Sequence, residues 1–196
     1  MKRLLIVGLG NYTFPNTRHS VGQMFVDYFR TGHPTSQWIL DSSVGGWISS
    51  YTSSISRQRE NVTVEVALFK PREFMNESGR SVGKMVRKLD LRRNGPGWEN
   101  NVLIVHDEME RELGKVSMKT GGASGGHNGI KSVIGHLGLD SFPRLRIGIS
   151  RPPLNSPSDV SSYVLAKFSR KELEVLDETV WPKAEAEVEK WISGRV

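Results

Sequence analysis

Leu4-Leu5-Ile6-Val7-Gly8-Leu9-Gly10-Asn11-Tyr12-Thr13-Phe14-Pro15-Asn16-Thr17-Arg18-His19-Ser20 begins as an unbroken apolar run and ends in a polar loop with two glycines, two asparagines and a histidine. A short apolar run bounded by turn signals suits a strand buried on both faces. Beyond Ser20, the residues Val21, Met24, Phe25, Tyr28 and Phe29 recur at helical spacing, so the loop leaves a central strand and enters a helix. In open α/β sheets, ligands bind outside the carboxyl ends of the strands, where this loop belongs. Gly8 and Gly10 permit a tight backbone there, and Asn11 and His19 supply an amide and an imidazole that titrates near neutrality. His19 is therefore a candidate general base.

The pattern repeats along the chain. Trp38-Ile39-Leu40 and Gly46 to Tyr51 read as two short strands, and Val62 to Phe69 as a strand that stops at Lys70-Pro71. Asn76 is placed to cap a helix with the stripe Val82, Met85, Val86 and Leu89, in which Gly79 and Gly83 allow close approach to a neighbour. Arg92 to Asn101 reads as a surface loop, and Val102 to Val105 as a second buried strand ending at His106-Asp107. Lys115 to Lys119 reads as an edge strand. The glycine-rich run from Thr120 to Gly129 leads into a helix closed by Gly138. Leu145 to Ile149 is a further strand, and residues 152–162, rich in proline and serine, suit an irregular loop acting as a lid. Ser169 with Glu172 forms a capping box, and Pro182 kinks or divides the last helix. This alternation predicts an α/β fold: a single domain over residues 1–196, with a twisted mixed sheet and helices on both faces.

Composition narrows the function. With 196 residues, 37% hydrophobic and 24% charged, and no apolar run near ~18 residues, the chain is expected to be soluble with no membrane span. No secretory or transit segment is visible in the opening residues. The absence of cysteine excludes disulfides, thiolate catalysis and cysteine-held metal centres, and fits a reducing compartment. The net charge is +6, yet residues from Arg170 onward carry five basic and seven acidic side chains. The basic excess therefore lies in the body, which suits a polyanionic partner such as a nucleic acid, or else a solvated basic surface.

Gly8-Leu9-Gly10 is not a dinucleotide fingerprint, because Thr13 stands where a third glycine is needed, and the run Gly121 to Gly129 lacks the lysine of a phosphate loop. That run still brings backbone amides, His127 and the Asn128 amide close to a ligand. The acidic turn after His106 could hold magnesium, be a solvated turn, or supply Asp107 as the acceptor that orients His19.

Taken together, Gly8 to Asn11, Thr17 to Gly22, Lys70-Pro71 with Phe74 to Gly79, His106-Asp107-Glu108, Gly125 to Gly129 and Phe142 to Ile149 resemble the bacterial-type peptidyl-tRNA hydrolase family, in the family's order. The resemblance implies cleavage of the ester joining a peptide to the 3′ ribose of tRNA. His19 would activate water, Asp107 would orient it, and Asn76 would position the water or donate to the oxyanion. Asn11, Phe14, Met75, His127 and Asn128 would line the substrate site, and Lys119 and Arg146 would grip tRNA phosphate. It implies no cofactor and no metal, peptidyl-tRNA as partner, a monomer, and a cytoplasmic location, or a mitochondrial one in a eukaryote. Tyr12 stands where the family has proline, and Phe14 where it has a tyrosine. The competing readings are a non-catalytic RNA-binding relative of the same fold and a hydrolase for small substrates; no Gly-x-Ser-x-Gly elbow supports a serine nucleophile.

Overall fold

The computed structural model describes residues 1–57, 60–152 and 156–195. β1 (Lys2–Gly8) is followed, across the opening loop and a 3₁₀ turn at Arg18–Ser20, by α1 (Val21–Thr31). β2 (Ile39–Asp41), β3 (Gly46–Arg57) and β4 (Glu60–Pro71) form an antiparallel meander. A 3₁₀ turn at Met75–Glu77 leads into α2 (Ser78–Lys88), followed by β5 (Val102–Glu108), β6 (Val116–Thr120), α3 (Asn128–Leu137) and β7 (Pro143–Gly148). The chain continues through α4 (Pro157–Leu165), α5 (Arg170–Val175) and α6 (Trp181–Ser193), with a π turn at Leu176–Val180 before Pro182.

The seven strands order as β2-β3-β4-β1-β5-β7-β6. The central pairs β4-β1, β1-β5 and β5-β7 are parallel, and the outer pairs are antiparallel, so the sheet is mixed as expected. Alternate residues of β1 serve opposite cores: Leu4 and Ile6 pack with Phe25, Phe29 and Trp181, and Leu5 and Val7 with Met85, Ile130 and Val133. Burial on both faces is why the run reads as continuously apolar.

Two glycines set the height of α1 over the sheet. A Cβ on Gly22 would lie 2.3 Å from the Val105 carbonyl oxygen, and one on Gly8 would lie 2.3 Å from that of Gly22. The close contact seats the 3₁₀ turn bearing His19 beside the end of β5. Gly79 works similarly between α2 and α3, since a Cβ there would meet the Ser132 carbonyl oxygen at 2.1 Å, whereas Gly83 has ordinary room.

Several elements differ from the sequence reading. β3 runs to Arg57 rather than Tyr51, because β4 pairs with it over its whole length, from Gly46 opposite Pro71 to Arg57 opposite Glu60. Asn76 is not the helix cap: it lies inside the 3₁₀ turn, and α2 starts two residues later. Arg92 to Asn101 contains most of one 3₁₀ turn, Leu91–Asn94, and all of another, Trp98–Asn101. The expected irregular lid is largely α4, with Pro157 in its first turn and a capping box formed by Ser156 and Asp159; residues 153–155 of that stretch lie outside the described residues. The Ser169–Glu172 capping box is present.

Candidate active site

The opening loop is held by its own side chains. The Asn11 amide oxygen accepts from the Thr13 backbone N–H at 3.2 Å and the Thr13 hydroxyl at 2.7 Å, and Ser20 Oγ accepts from the Asn11 N–H at 3.0 Å. Asn11 is thereby buried with its side-chain oxygen occupied, which leaves its NH₂ as the group offered to the cleft. His19 is only 12% exposed at the side chain, and its Nδ1 lies 2.9 and 3.0 Å from the two oxygens of Asp107. Asp107 is 3% exposed at the end of β5, so it is the acceptor and Nδ1 carries the proton. The Nε2 lone pair of His19 is then free to take a proton.

A second imidazole meets the same carboxylate. His127 Nε2 donates to Asp107 Oδ1 at 2.8 Å, while Nδ1 accepts from the Gly129 and Ile130 N–H groups at 3.1 and 3.2 Å. His127 therefore caps α3, and both of its nitrogens have partners within the chain. His106, buried beside it, donates from Nδ1 to the Asp107 carbonyl at 2.7 Å. Burial, reinforced by His127, pushes His106 down to about 3. Burial also works against charge on His19 and Asp107, but each favours the other's charged form. His19 is raised above the ordinary histidine value by the Asp107 charge and hydrogen bond, and Asp107 is held well below the carboxylate range by the two imidazoles.

These groups open onto a cleft of about 730 Å³ lined by Asn11, His19, Met75, Asn76, Asp107, His127 and Asn128, with Phe74 and Met109. Its far wall is the α4 face of Pro157, Val160, Ser161, Val164 and Leu165, so part of the stretch expected as a loop lid borders the cleft as a helix, and Val164 and Leu165 extend it beyond that stretch. Met75 is buried against Gly129, where a Cβ would come within 2.4 Å of its sulfur. Asn76 and Asn128 are exposed. Phe14, placed at the substrate site by the sequence reading, does not line the cleft; it is 45% exposed on the loop, and Phe74 occupies the wall instead.

Lys119 and Arg146 also lie outside the cleft. They project from β6 and β7 on one face of the sheet, where Arg146 is 3.7 Å from Glu108 and Lys119 is exposed. Arg144, two residues before Arg146, was not singled out from sequence. It is buried and donates to the carbonyls of Gly122, Ala123 and Asp140, which fixes the glycine loop. Among the described residues, His19, Asp107 and His127 are the cluster able to hold a metal ion, with ligating atoms within 4.8 Å. The two imidazole N–H groups facing Asp107 are what a cation would have to displace.

A buried carboxylate paired to an imidazole, with three asparagine amides around one cleft on an α/β sheet, is the kind of group set that acid–base hydrolases use. Comparison with known proteins narrows the class. Residues 5–196 match the sequence model of the peptidyl-tRNA hydrolase family. The peptidyl-tRNA hydrolase of Limosilactobacillus reuteri is 38% identical over 192 residues, covering 97% of this chain and 93% of that one. The one from Akkermansia muciniphila is 39% identical over 181 residues, covering 90% and 83%. The crystal structure of the Acinetobacter baumannii peptidyl-tRNA hydrolase superimposes with a TM-score of 0.80 at 31% identity, covering 98% and 89%. The chain belongs to the peptidyl-tRNA hydrolase family.

Proposed function

We propose that this chain hydrolyses the ester between a peptide, or an N-blocked aminoacyl group, and the 3′ ribose of tRNA, with His19 as the general base. The observation that carries the reading is the pair of Nδ1 contacts to Asp107, which leaves Nε2 of His19 as the proton acceptor in an amide-lined cleft. Nε2 takes a proton from water as the water oxygen bonds to the ester carbonyl carbon. The resulting tetrahedral oxyanion is met by the amide NH₂ groups of Asn76 and Asn11. When the carbon–oxygen bond to the ribose breaks, the imidazolium returns the proton to the leaving alkoxide. The products are a free tRNA hydroxyl and a peptide carboxylic acid. Asn128 holds the acyl group, Met75 walls it, and His127 acts as a positioning residue by holding Asp107 in register with His19. No cofactor enters this scheme.

Lys119 and Arg146 take tRNA phosphates, consistent with the excess of positive charge in the body of the chain. One chain supplies every group in the scheme, which supports a single domain acting as a monomer, and a cytoplasmic location follows from where peptidyl-tRNA arises. No helix among the described residues is long and apolar enough to cross a membrane. Hydrolysis of N-acylaminoacyl-tRNA, compared with the same tRNA bearing a free-amine aminoacyl group, tests the reading. Release from the first and not the second is expected. Release from neither, with RNA binding retained, would favour the non-catalytic RNA-binding alternative.

A further inference from the structure

Arg18 stands directly before His19 in the same 3₁₀ turn, yet its side chain takes no part in the chemistry above. It reaches instead to the segment that joins α4 to α5. Nη2 lies 2.8 Å from both carboxylate oxygens of Glu172, in α5, and Nη1 donates to the carbonyls of Lys167 at 3.0 Å and Ala166 at 3.4 Å. The guanidinium also covers the ring of Tyr163, in α4, 4.4 Å from its centre, with Phe168 at 5.4 Å. The backbone repeats the connection: Thr17 bridges Lys167, and the Arg18 N–H donates to the Ala166 carbonyl at 3.0 Å.

This clamp holds a segment that packing alone holds weakly. Among the described residues, α4 buries only Val164 and α5 buries none. Arg18 itself is 8% exposed. Burial works against charge on Glu172, but the Ser169 N–H and the Arg18 guanidinium outweigh it and hold its carboxyl below the usual range, so the contact is an ion pair. The end of α4 that Arg18 grips through Tyr163 and Ala166 also carries Val164 and Leu165, which line the cleft with Val160. An apolar wall is matched by the apolar side chains of an acyl group and not by the ribose and phosphates of an RNA end. One side chain therefore ties the turn that carries His19 to the wall that an acyl group would meet.

We propose that Arg18 is a positioning residue, which fixes the α4 wall relative to His19 and thereby sets the preference for substrates with a large apolar acyl group. The proposal rests on the hydrolase reading for its reaction; the clamp between the turn and α4 does not.

The test compares N-acetylphenylalanyl and N-acetylglycyl esters of one tRNA as substrates for the full chain and for Arg18→Gln, with far-UV circular dichroism to verify folding and amide hydrogen exchange to follow α4. Glu172→Gln, which keeps the α5 capping box, carries the same test if Arg18→Gln does not fold. Exchange in α4 should quicken in the variant while that in β1 and β5 stays as in the parent. KM for the phenylalanyl ester should rise about 5- to 20-fold, and KM for the glycyl ester, which has no side chain to meet the wall, by less than about twofold. The acid limb of kcat/KM should stay in place, because Asp107 and not Arg18 contacts His19. A folded variant with equal losses on the two esters, with no loss on either, or with a displaced acid limb would overturn the proposal. So would unchanged exchange in α4, whatever the parent cleaves. A parent chain that cleaves neither ester would overturn the hydrolase reading, and with it the role of Arg18 in a reaction, while quickened exchange would leave the clamp itself standing.

Discussion

Asp107 receives N–H groups from two imidazoles that are held in different ways. His127 is fixed by the first turn of α3, whereas the second nitrogen of His19 makes no hydrogen bond among the described residues. Burial disfavours the His19 imidazolium, but the Asp107 charge and hydrogen bond outweigh it and raise its pKa. A base acts when neutral, so kcat/KM should rise with pH through a value above the ordinary histidine pKa of about 6.5. Asp107→Asn removes the charge and leaves the burial. The acid limb of the kcat/KM profile should then move to lower pH, with kcat reduced about 10²- to 10⁴-fold. An acid limb that stays in place would mean that Asp107 does not set the ionisation of His19.

The same pair links stability to pH with opposite signs. The raised His19 contributes stability that is full below the ordinary histidine value and is lost as pH rises through its folded value. The depressed Asp107 contributes stability that is present above about 4 and is lost as pH falls. The urea midpoint should therefore fall between pH 5.5 and pH 3 by a larger margin in the parent than in Asp107→Asn. At this scale the sequence made His19, Asn11 and Asp107 legible, because each sits where an apolar run ends. The role of His127 was not legible, since a histidine cap is recognised only once the first turn of its helix is located. Phe14 lies outside the cleft lining and Phe74 within it, because loop spacing does not tell which ring turns toward the cleft.

At the scale of elements, the strands and the helices α1, α2 and α3 were readable from periodicity, and α4 was not. Ser156, Pro157 and Asp159 are a helix start, but in a stretch of prolines and serines they also read as irregular loop. Because α4 forms a wall of the cleft, Val160→Asp is expected to raise KM for peptidyl-tRNA several-fold while leaving the urea midpoint close to that of the parent. Val160 is only partly buried, so the change should register in substrate binding rather than in folding. Gly22 is the opposite case. Gly22→Ala drives a methyl group into the Val105 carbonyl and should destabilise the fold by about 1–3 kcal/mol, read as a lower urea midpoint. In the sequence Gly22 stands only as the end of the Thr17 to Gly22 stretch; the strand beneath it is a tertiary fact.

Across the whole molecule, charge distribution was the most legible property, and the mixed sheet with helices on both faces followed from the alternation of elements. What composition could not show is where the charge lies relative to the cleft. Strand order places Arg146 and Lys119 two and three strands from β1, and the buried Arg144 beside them is spent on the glycine loop. Lys119→Ala combined with Arg146→Ala is therefore expected to weaken tRNA binding in a salt-dependent way, flattening the salt slope by up to about two contacts. An unaltered slope would remove these two residues from the RNA interface.

The most direct test of the account is single-turnover hydrolysis of N-acylaminoacyl-tRNA by the parent chain and by His19→Ala, with tRNA affinity measured alongside. The account predicts a loss of about 10²- to 10⁴-fold in rate with affinity changed less than about threefold. A His19→Ala chain that cleaves the ester at the parent rate would contradict it.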